Sequence, residues 1–582
     1  MPPIPQHSSH PTVPTGIVEG FYGPVWTHAE RLWMIRLIAS LDMNLYIYAP
    51  KEDPFHREKW REPYGPDEML RFAELAGGCR DHGVVPCFGL SPGLSIVYGS
   101  PEERLLVAEK LLSLADVGFE AFALCLDDIP AALQSESDLS GYQGLAHAQA
   151  ELANEILERL ESRLGPEITL LFCPTEYRGT ATSPYLQALG RRLASRIEVF
   201  WTGPRVVSPT ITAADARAFA AAIGRKPILW DNYPVNDFAP NRLFLGPFRG
   251  RTPELLDELA GFTANPMNQP RASQVALRTL AEYVKSPATY EPEQAWRRAL
   301  IATWSQSIEE GAPPELEEAF TLIARELKPS PIDPDIRTAL SGAASGERSA
   351  VERTEKAASN LLDAALYSPI LGEIAGWLSD IVLRCETVRG ALDCHAALDA
   401  GRIAEALELA NRTWSRRRLV GVQHTMATGD EITRAERLLI PCLRREGFLI
   451  FERSSASRGN RESGEEVLLD ADIPLAAAKP DRPPIILDAG RQIHVARLIC
   501  AFGQPWNVPY PEGLPTLSVS PDGETFDTLP LTRCADGIGI ADVSAHPFRF
   551  IAIDAPQAEH FYLLMDPLPA PEISNAQESD TR

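Results

Sequence analysis

Eight short apolar runs, separated mostly by segments long enough to form a helix, occupy the chain between Thr15 and about Val284. The runs are continuously apolar rather than alternating, which is typical of parallel strands buried on both faces. Eight such strands alternating with helices predict a closed (β/α)8 barrel of the TIM type rather than an open doubly wound sheet. The predicted strands are Thr15–Glu19, Asn44–Tyr48, Val84–Leu90, Ala121–Leu126, Thr169–Cys173, Ile197–Trp201, Pro227–Asp231 and Phe262–Asn265.

Thr27 and Glu30 have the spacing of a capping box and predict the start of the first helix. The other helices predicted within the barrel are Asp67–His82, Pro101–Val117, Leu145–Leu164 and Ala213–Ile223.

The pattern changes after the barrel, first to successive helices and then, beyond a polar, turn-rich segment, to short strands. Four helices are predicted in the middle region: Gln294–Glu309, Glu347–Ala365, Ile370–Ala397 and Ile403–Thr413. The predicted organisation is a flexible N-terminus (1–14), the barrel (15–290), an α-helical bundle (291–453), a linker (454–465), a small β-sandwich-like domain (466–567) and a disordered tail (568–582).

A formal net charge of −24 argues against nucleic acid or an anionic membrane as a partner, because both require a basic surface. The nine cysteines are odd in number and include no CxxC pair, which favours reduced thiols over a disulfide framework or a zinc site. No signal peptide is visible, and no apolar run approaches the roughly 18 residues that span a bilayer. We therefore expect a cytoplasmic location.

The sequence Ala-Phe-Ala-Leu-Cys-Leu-Asp127-Asp128 places two carboxylates directly after an apolar strand. In a barrel of this type, the carboxyl ends of the strands carry the chemistry. Adjacent residues on a strand point to opposite faces, so both carboxylates can face one pocket only if the backbone turns there. Two close carboxylates split their pKa values, which suits one of them to act as an acid. An Asp pair that only caps a turn and a pair of metal ligands are the alternatives.

The ends of six other predicted strands also carry polar or aromatic residues. Each residue alone has an ordinary structural explanation as a turn glycine, a solvated charge or barrel packing. Together they predict a pocket with aromatic walls and hydrogen-bonding groups, which suits a neutral sugar. The strand-end segments are Glu19–Gly23, Tyr48–Asp53, Cys173–Tyr177, Trp201–Gly203, Trp230–Tyr233 with Asp237 beyond it, and Asn265.

Six of these segments resemble glycoside hydrolase family 84, which comprises the O-GlcNAcases and related bacterial β-N-acetylglucosaminidases, some called hyaluronidases. The resemblance covers about residues 14–285, in the same order. The segments are GlyIleValGluGlyPheTyrGly (16–23), TyrAlaProLysGluAsp (48–53), LeuAspAspIlePro (126–130), CysProThrGluTyr (173–177), TrpThrGlyPro (201–204) and TrpAspAsnTyrProValAsnAsp (230–237).

This resemblance implies a retaining exo-β-N-acetylglucosaminidase that uses the 2-acetamido oxygen of its substrate as the nucleophile and forms an oxazoline intermediate. It implies that Asp127 accepts the acetamide N–H and that Asp128 is the general acid and then the base. Tyr177 would donate to the acetamido oxygen. By the same resemblance, the sugar hydroxyls and the acid would be held by Gly20, Lys51, Asn232, Asp237 and Asn265. Cys173 and Trp201 would lie at the pocket for the acetyl methyl.

The expected substrate is a terminal β-linked GlcNAc on a glycoprotein, glycopeptide or oligosaccharide, with O-GlcNAc on Ser/Thr of proteins as the first choice. No cofactor and no metal are expected, and a homodimer through the helical domain is a further expectation. Two alternatives stay open: a metal-dependent glycan hydrolase or deacetylase, and a non-catalytic glycan-binding protein.

Overall fold

The computed structural model describes residues 14–402 except 181–182, 308–312 and 334–347, then residues 405 and 409, and further segments between 449 and 567. The predicted C-terminal tail lies outside the described residues, and so does nearly all of the predicted linker, of the predicted helix Ile403–Thr413 and of the N-terminal segment. The chain divides into two compact units, Met1–Ala339 with Lys356–Ser379 and Leu340–Glu355 with Asp380–Arg582.

A closed barrel of eight parallel strands, in chain order around the ring, forms the core of the first unit. Strand β1 pairs with both β2 and β8, which closes the ring. The predicted fold class is therefore confirmed, with strand ends that differ from the expected ones by a single residue. The strands are β1 (Thr15–Glu19), β2 (Leu45–Tyr48), β3 (Val85–Leu90), β4 (Ala121–Cys125), β5 (Thr169–Cys173), β6 (Glu198–Trp201), β7 (Ile228–Asp231) and β8 (Gly261–Ala264).

Helices follow the strands, and the predicted capping box is present at the first of them: the Thr27 side chain accepts from the Glu30 N–H, while Glu30 accepts from the Thr27 N–H. Three helices were not predicted: the short α4 and α6, and α8, which follows the last strand. The helices of this region are α1 (His28–Ser40), α2 (Pro66–Asp81), α3 (Pro101–Asp116), α4 (Glu136–Gly141), α5 (Leu145–Leu164), α6 (Pro184–Arg192), α7 (Ala213–Ile223) and α8 (Pro270–Lys285).

Alternate residues of each strand point into the barrel, where they form one buried cluster. The cluster consists of Val18, Leu45, Ile47, Ala49, Cys87, Ala121, Ala123, Cys125, Leu171, Cys173, Phe200, Ile228 and Trp230. Because side chains alternate, the inward positions continue beyond the strand ends into the loops at the mouth.

Helices continue after the barrel, as the sequence predicts. These are α9 (Pro292–Ser307), α10 (Pro314–Glu326), α11 (Arg348–Asp363) and α12 (Pro369–Asp399). In the first unit, the half-buried Glu373 of α12 accepts hydrogen bonds from the backbone N–H groups of Arg271 and Ala272 at the start of α8. No helix in the described parts of the chain is long and apolar enough to cross a membrane.

The second unit contains two five-stranded antiparallel sheets, in the orders β10-β11-β17-β13-β14 and β15-β16-β12-β18-β9. The expectation that the helical region extends to residue 453 is wrong at its end, because Leu449–Ser454 forms strand β9 and pairs with β18. The strands are β9 (Leu449–Ser454), β10 (Ala476–Ala477), β11 (Ile485–Ile493), β12 (Val495–Gly503), β13 (Thr516–Ser520), β14 (Asp527–Leu529), β15 (Thr532–Ala535), β16 (Ile538–Asp542), β17 (Phe548–Asp554) and β18 (His560–Pro567).

Candidate active site

The two carboxylates that follow β4 reach the mouth of the barrel in different ways. Asp127 continues the inward series of Ala121, Ala123 and Cys125 and is buried. A continued strand would direct Asp128 outward, but its φ is +50°, in the left-handed region. Because of this turn, the exposed Asp128 side chain does not follow the in-and-out alternation of the strand. The phenolic group of Tyr177 is hydrogen-bonded to Asp128, and the Tyr177 side chain packs against the inward-facing cluster that Asp127 continues, so both carboxylates lie at the mouth of the barrel.

Asp127 forms a buried ion pair with Lys51, whose position also continues the inward series of its strand. Lys51 Nζ lies 2.5 Å from Asp127 Oδ2. Burial alone raises the pKa of the Asp127 carboxyl, but the charge and hydrogen bond of Lys51 reverse this effect and hold its pKa below the ordinary value. The same pairing outweighs burial at Lys51, where it raises the pKa of the ammonium group. Asp127 is therefore an anion near neutral pH.

The second oxygen of Asp127, Oδ1, is buried and has no hydrogen-bond partner among the described residues. Buried carboxylate oxygens are normally hydrogen-bonded, so an unpaired one marks a place where a donor from outside the protein can bind. The floor below it is formed by Cys125 and Cys173, which are partners across β4 and β5. Burial, with the nearby Asp127 charge as a further cause, raises the pKa of both thiols well above the usual range.

Asp128 has a separate set of partners. Its Oδ1 accepts a hydrogen bond from the Tyr177 hydroxyl at 3.0 Å, and its Oδ2 accepts one from the Tyr22 hydroxyl at 2.9 Å. Arg57 donates to the Tyr22 hydroxyl and to the backbone carbonyl of Asp128. Tyr22 and Arg57 were not selected from the sequence, although Tyr22 belongs to the Gly-Phe-Tyr-Gly segment at a strand end. No sequence motif marks Arg57.

Hydrogen bonds join the loops that follow β1, β7 and β8 on another side of the mouth. The Gly20 N–H donates to Asn265 Oδ1 at 3.4 Å, and Asn265 Nδ2 donates to Asn232 Oδ1 at 3.0 Å. The Tyr22 N–H donates to Asp237 Oδ2 at 2.9 Å. Burial raises the pKa of the Asp237 carboxyl, and the negative charge of Asp128 adds to this, although two backbone N–H groups oppose it. Four of the predicted residues are thus brought together around one loop.

Trp230 forms a wall beside this group. It points into the barrel, and its ring lies against the backbone of Gly20 so closely that a Cβ atom at position 20 would be 2.3 Å from Trp230 Cζ2. Lys51 Nζ lies 5.7 Å from the centroid of the same ring. The Lys51 ammonium group and the backbone of Gly20 therefore both lie against the indole ring.

Trp201 lies apart from the other predicted site residues. Phe200 points into the barrel, so the next side chain along β6 points outward. The Trp201 ring stacks on Phe219 of α7, with 5.5 Å between ring centroids, and its Nε1–H donates to the Gly179 carbonyl. The structure therefore places Trp201 between the barrel and its helices rather than at the inner wall of the mouth.

His56 is buried behind Lys51. Its Nδ1 lies 2.8 Å from the Gly89 carbonyl oxygen, and its Nε2 has no hydrogen-bond partner in the described part of the chain. Burial, reinforced by the charge of Lys51, lowers the pKa of His56 to about 4, so the imidazole is neutral at neutral pH. Within the described ranges, no group of three or more His, Cys, Asp and Glu side chains is arranged to hold a metal ion.

Comparison with known proteins shows several relatives. Rattus norvegicus and Mus musculus proteins named Protein O-GlcNAcase are each 39% identical to this chain over 277 residues, or 47% of the chain. That region corresponds to 30% of the length of each relative. A Thermobaculum terrenum O-GlcNAc hydrolase mutant of known structure is 31% identical, with a TM-score of 0.68 over 74% of this chain and 96% of that chain.

A family model described as beta-N-acetylglucosaminidase matches residues 15–323, just over half of the chain. The match begins at β1 and extends through the barrel, so it includes every site residue described above. The chain therefore belongs to the β-N-acetylglucosaminidase family, glycoside hydrolase family 84.

Proposed function

We propose that this protein is a retaining exo-β-N-acetylglucosaminidase that works by substrate-assisted catalysis. The observation that carries this proposal is the unpaired, buried Oδ1 of Asp127, next to an Oδ2 that is neutralised by Lys51. A fixed anionic acceptor of this kind suits the N–H of an acetamide group. It holds the acetamide so that its carbonyl oxygen can attack the anomeric carbon, C1, of the same sugar.

In the first step, the acetamido oxygen forms a bond to C1 while the bond from C1 to the leaving oxygen breaks. Asp128 gives its proton to the leaving oxygen, and Asp127 stabilises the positive charge that develops on the acetamide nitrogen. In the second step, water attacks C1 of the resulting oxazolinium ion and the bond from C1 to the acetamido oxygen breaks, while Asp128 takes a proton from this water, so the neutral acetamide is restored. The net reaction is hydrolysis with retained configuration.

The separate partners of the two carboxylates support separate roles. Asp127 is paired with a cation, which favours its ionised form, as a carboxylate that stabilises positive charge must be. Asp128 has no cation on its carboxylate among the described residues; it accepts hydrogen bonds from two neutral phenols at a more exposed position. A group that must both give and take a proton needs such access to the leaving oxygen and to water.

The remaining groups provide a site for a neutral sugar. The Trp230 ring offers a flat apolar wall, and Asn232, Asp237 and Asn265 offer hydrogen-bonding groups at the same rim. The Tyr177 hydroxyl donates to Asp128 in this structure and would donate to the acetamido oxygen instead when substrate is bound. Cys173 would lie below the acetyl methyl.

We further propose O-GlcNAc on Ser/Thr of proteins as the substrate, since the relatives named above are O-GlcNAcases or O-GlcNAc hydrolases. We also propose that the protein is cytoplasmic, that it has no nucleic-acid or membrane partner, and that it forms a homodimer through the helical region.

Hydrolysis of 4-nitrophenyl β-GlcNAc, compared with the matched β-glucoside, tests the reaction. We expect turnover of the first compound, a product that initially has the β configuration by NMR, and negligible turnover of the glucoside. Competition by a GlcNAc-derived thiazoline, which mimics the oxazoline, tests the intermediate. Release of GlcNAc from an O-GlcNAc peptide and from chitobiose in parallel tests the substrate. Equal rates on the glucoside would contradict the mechanism.

The metal-dependent alternative is not favoured by the geometry. The Lys51 ammonium group lies 2.5 Å from Asp127 and would repel a second cation at that carboxylate. Full activity in excess EDTA is therefore the expected result.

A further inference from the structure

Arg57 lies beside the predicted general acid but binds its backbone rather than its carboxylate. It belongs to the loop between β2 and α2 and is buried. Its Nη2 donates to the Asp128 carbonyl oxygen at 2.9 Å, and its Nη1 donates to the Tyr22 hydroxyl at 3.0 Å. No carboxylate oxygen of a described residue lies within 4.0 Å of its guanidinium nitrogens, which is unusual for a buried arginine.

This contact acts on the backbone turn that directs the Asp128 side chain. A non-glycine residue in the left-handed region costs about 1–2 kcal/mol relative to the right-handed one, so surrounding contacts must hold it there. The hydrogen bond from Arg57 fixes the orientation of the peptide group that follows Asp128. The second hydrogen bond fixes the Tyr22 hydroxyl, which in turn donates to Asp128 Oδ2.

The arrangement also leaves the carboxylate of Asp128 without a salt bridge to any residue that the structure describes. Arg57 donates its hydrogen bonds to the Asp128 carbonyl oxygen and to the Tyr22 hydroxyl. The acid is thus held in place through neutral groups.

The loop that carries Arg57 is itself anchored from α3. Lys110 Nζ donates to three backbone carbonyl oxygens of this loop, those of Phe55, Trp60 and Glu62. These bonds span both sides of Arg57 in sequence, so the guanidinium group approaches Asp128 from a fixed support.

We propose that Arg57 is a positioning residue that sets the direction of the Asp128 carboxyl group through the Asp128 carbonyl and the Tyr22 hydroxyl. This rests on the proposed role of Asp128 as the general acid. Loss of Arg57 should therefore produce the kinetic defect of a misplaced acid, while the acetamide attack that depends on Asp127 and Lys51 continues.

The test uses the full-length variants Arg57→Met, Arg57→Lys and Tyr22→Phe with aryl β-GlcNAc substrates whose leaving groups span a range of pKa. For Arg57→Met, we expect roughly 100-fold or greater loss of kcat/KM with the most basic leaving groups and less than about 10-fold loss with the most acidic ones. Arg57→Lys should lose less kcat/KM than Arg57→Met with the basic leaving groups. Tyr22→Phe should show the same dependence on the leaving group, with smaller losses. In these variants, the decrease in rate when the acetyl group of the substrate is fluorinated, which reports on attack by the acetamido oxygen, should be the same as in the parent protein.

Arg61→Met is the matched control, because Arg61 lies in the same loop but bonds Glu103 and Ser95 instead of the site. It should lose little activity with any leaving group. An equal loss across all leaving groups in Arg57→Met and Tyr22→Phe, or the same pattern in Arg61→Met, would overturn the proposal. If Arg57→Met does not fold, as judged by thermal unfolding, Arg57→Lys and Tyr22→Phe decide the question.

Failure of the proposed function would look different. In that case, Asp128→Asn itself would show no dependence on the leaving group, and the Arg57 proposal would fall with it. A leaving-group dependence in Asp128→Asn that is absent from Arg57→Lys and Tyr22→Phe would overturn only the positioning role.

Discussion

The indole ring of Trp230 occupies the space that a side chain at Gly20 would need. A Cβ atom at position 20 would lie 2.3 Å from Trp230 Cζ2, too close for any real contact. We therefore expect Gly20→Ala to displace the ring that walls the sugar site, at a cost of about 1–3 kcal/mol. KM for aryl β-GlcNAc should rise about tenfold, and thiazoline binding should weaken by a similar factor.

Gly77→Ala, in the interior of α2, is the control for this substitution, since a Cβ atom there meets nothing within 4 Å. It should leave kinetics unchanged and raise stability by about 0.5–1 kcal/mol. Unchanged KM and inhibitor affinity in Gly20→Ala would show that Trp230 is not part of the sugar wall.

Asp127→Asn and Asp128→Asn should fail in different ways. Both should lose kcat, but the loss in Asp128→Asn should be smaller for aryl leaving groups of low pKa, which need less protonation. Asp127→Asn should also lower stability by about 3–5 kcal/mol, because it leaves the buried Lys51 without its anion. Thermal unfolding and kcat on good and poor leaving groups measure both effects. Equal losses on every leaving group in Asp128→Asn would remove Asp128 from the acid role.

The acetyl group of the substrate provides a separate test of the nucleophile. Fluorine withdraws electrons from the carbonyl oxygen, so the rate should fall steadily from acetyl to mono-, di- and trifluoroacetyl substrates. The monofluoro step is the cleanest comparison because it adds the least bulk. An enzyme carboxylate as nucleophile would give a nearly flat series, and trapping of a covalent sugar on any Asp or Glu would rule out the assisted mechanism.

His56 should make the folded protein less stable in mild acid. Its pKa falls from 6.5 to about 4 on folding, so between these pH values the unfolded chain binds a proton that the folded chain does not. The contribution of His56 to stability therefore falls as pH decreases across this window, by up to about 3 kcal/mol, and it is measured as the difference in pH dependence between the parent protein and a His56 variant. His56→Asn, which can keep the hydrogen bond to the Gly89 carbonyl, should lose most of this dependence in urea unfolding at pH 7 and pH 4.5.

The exposed His82 provides the matched control, since its Nδ1 also lies 2.9 Å from a backbone carbonyl oxygen, that of Gly78. His82→Asn should keep the pH dependence of the parent protein. If His56→Asn keeps it as well, burial of His56 does not destabilise the protein in acid.

The sequence predicts the barrel well because each buried parallel strand is a continuous apolar run, so its position follows from composition alone. The short helices α4 and α6 have too few turns to show a period, and β9 is a short apolar run whose strand state depends on pairing with the distant β18. Trp201 was expected at the acetyl pocket, but the inward Phe200 beside it leaves only the outward direction.

The contacts around Asp128 show a second limit of what the sequence can predict. Tyr22 and Arg57 come from loops after different strands and meet only because the barrel closes. Residues at strand ends can be assigned to one rim from the topology, whereas a hydrogen bond between two such loops depends on their conformations, which no local pattern contains.

The left-handed backbone at Asp128 also restricts which amino acids could ever replace it. Gly, Asn and Asp tolerate this conformation most readily, and β-branched residues tolerate it least. Asn therefore removes the acid with little backbone penalty, whereas Ala, Val or Thr would change the chemistry and the main chain together. The main chain therefore narrows the choice of residues at this position independently of the chemistry, and a single substitution to Asn should give a well-folded protein that lacks only the proposed acid.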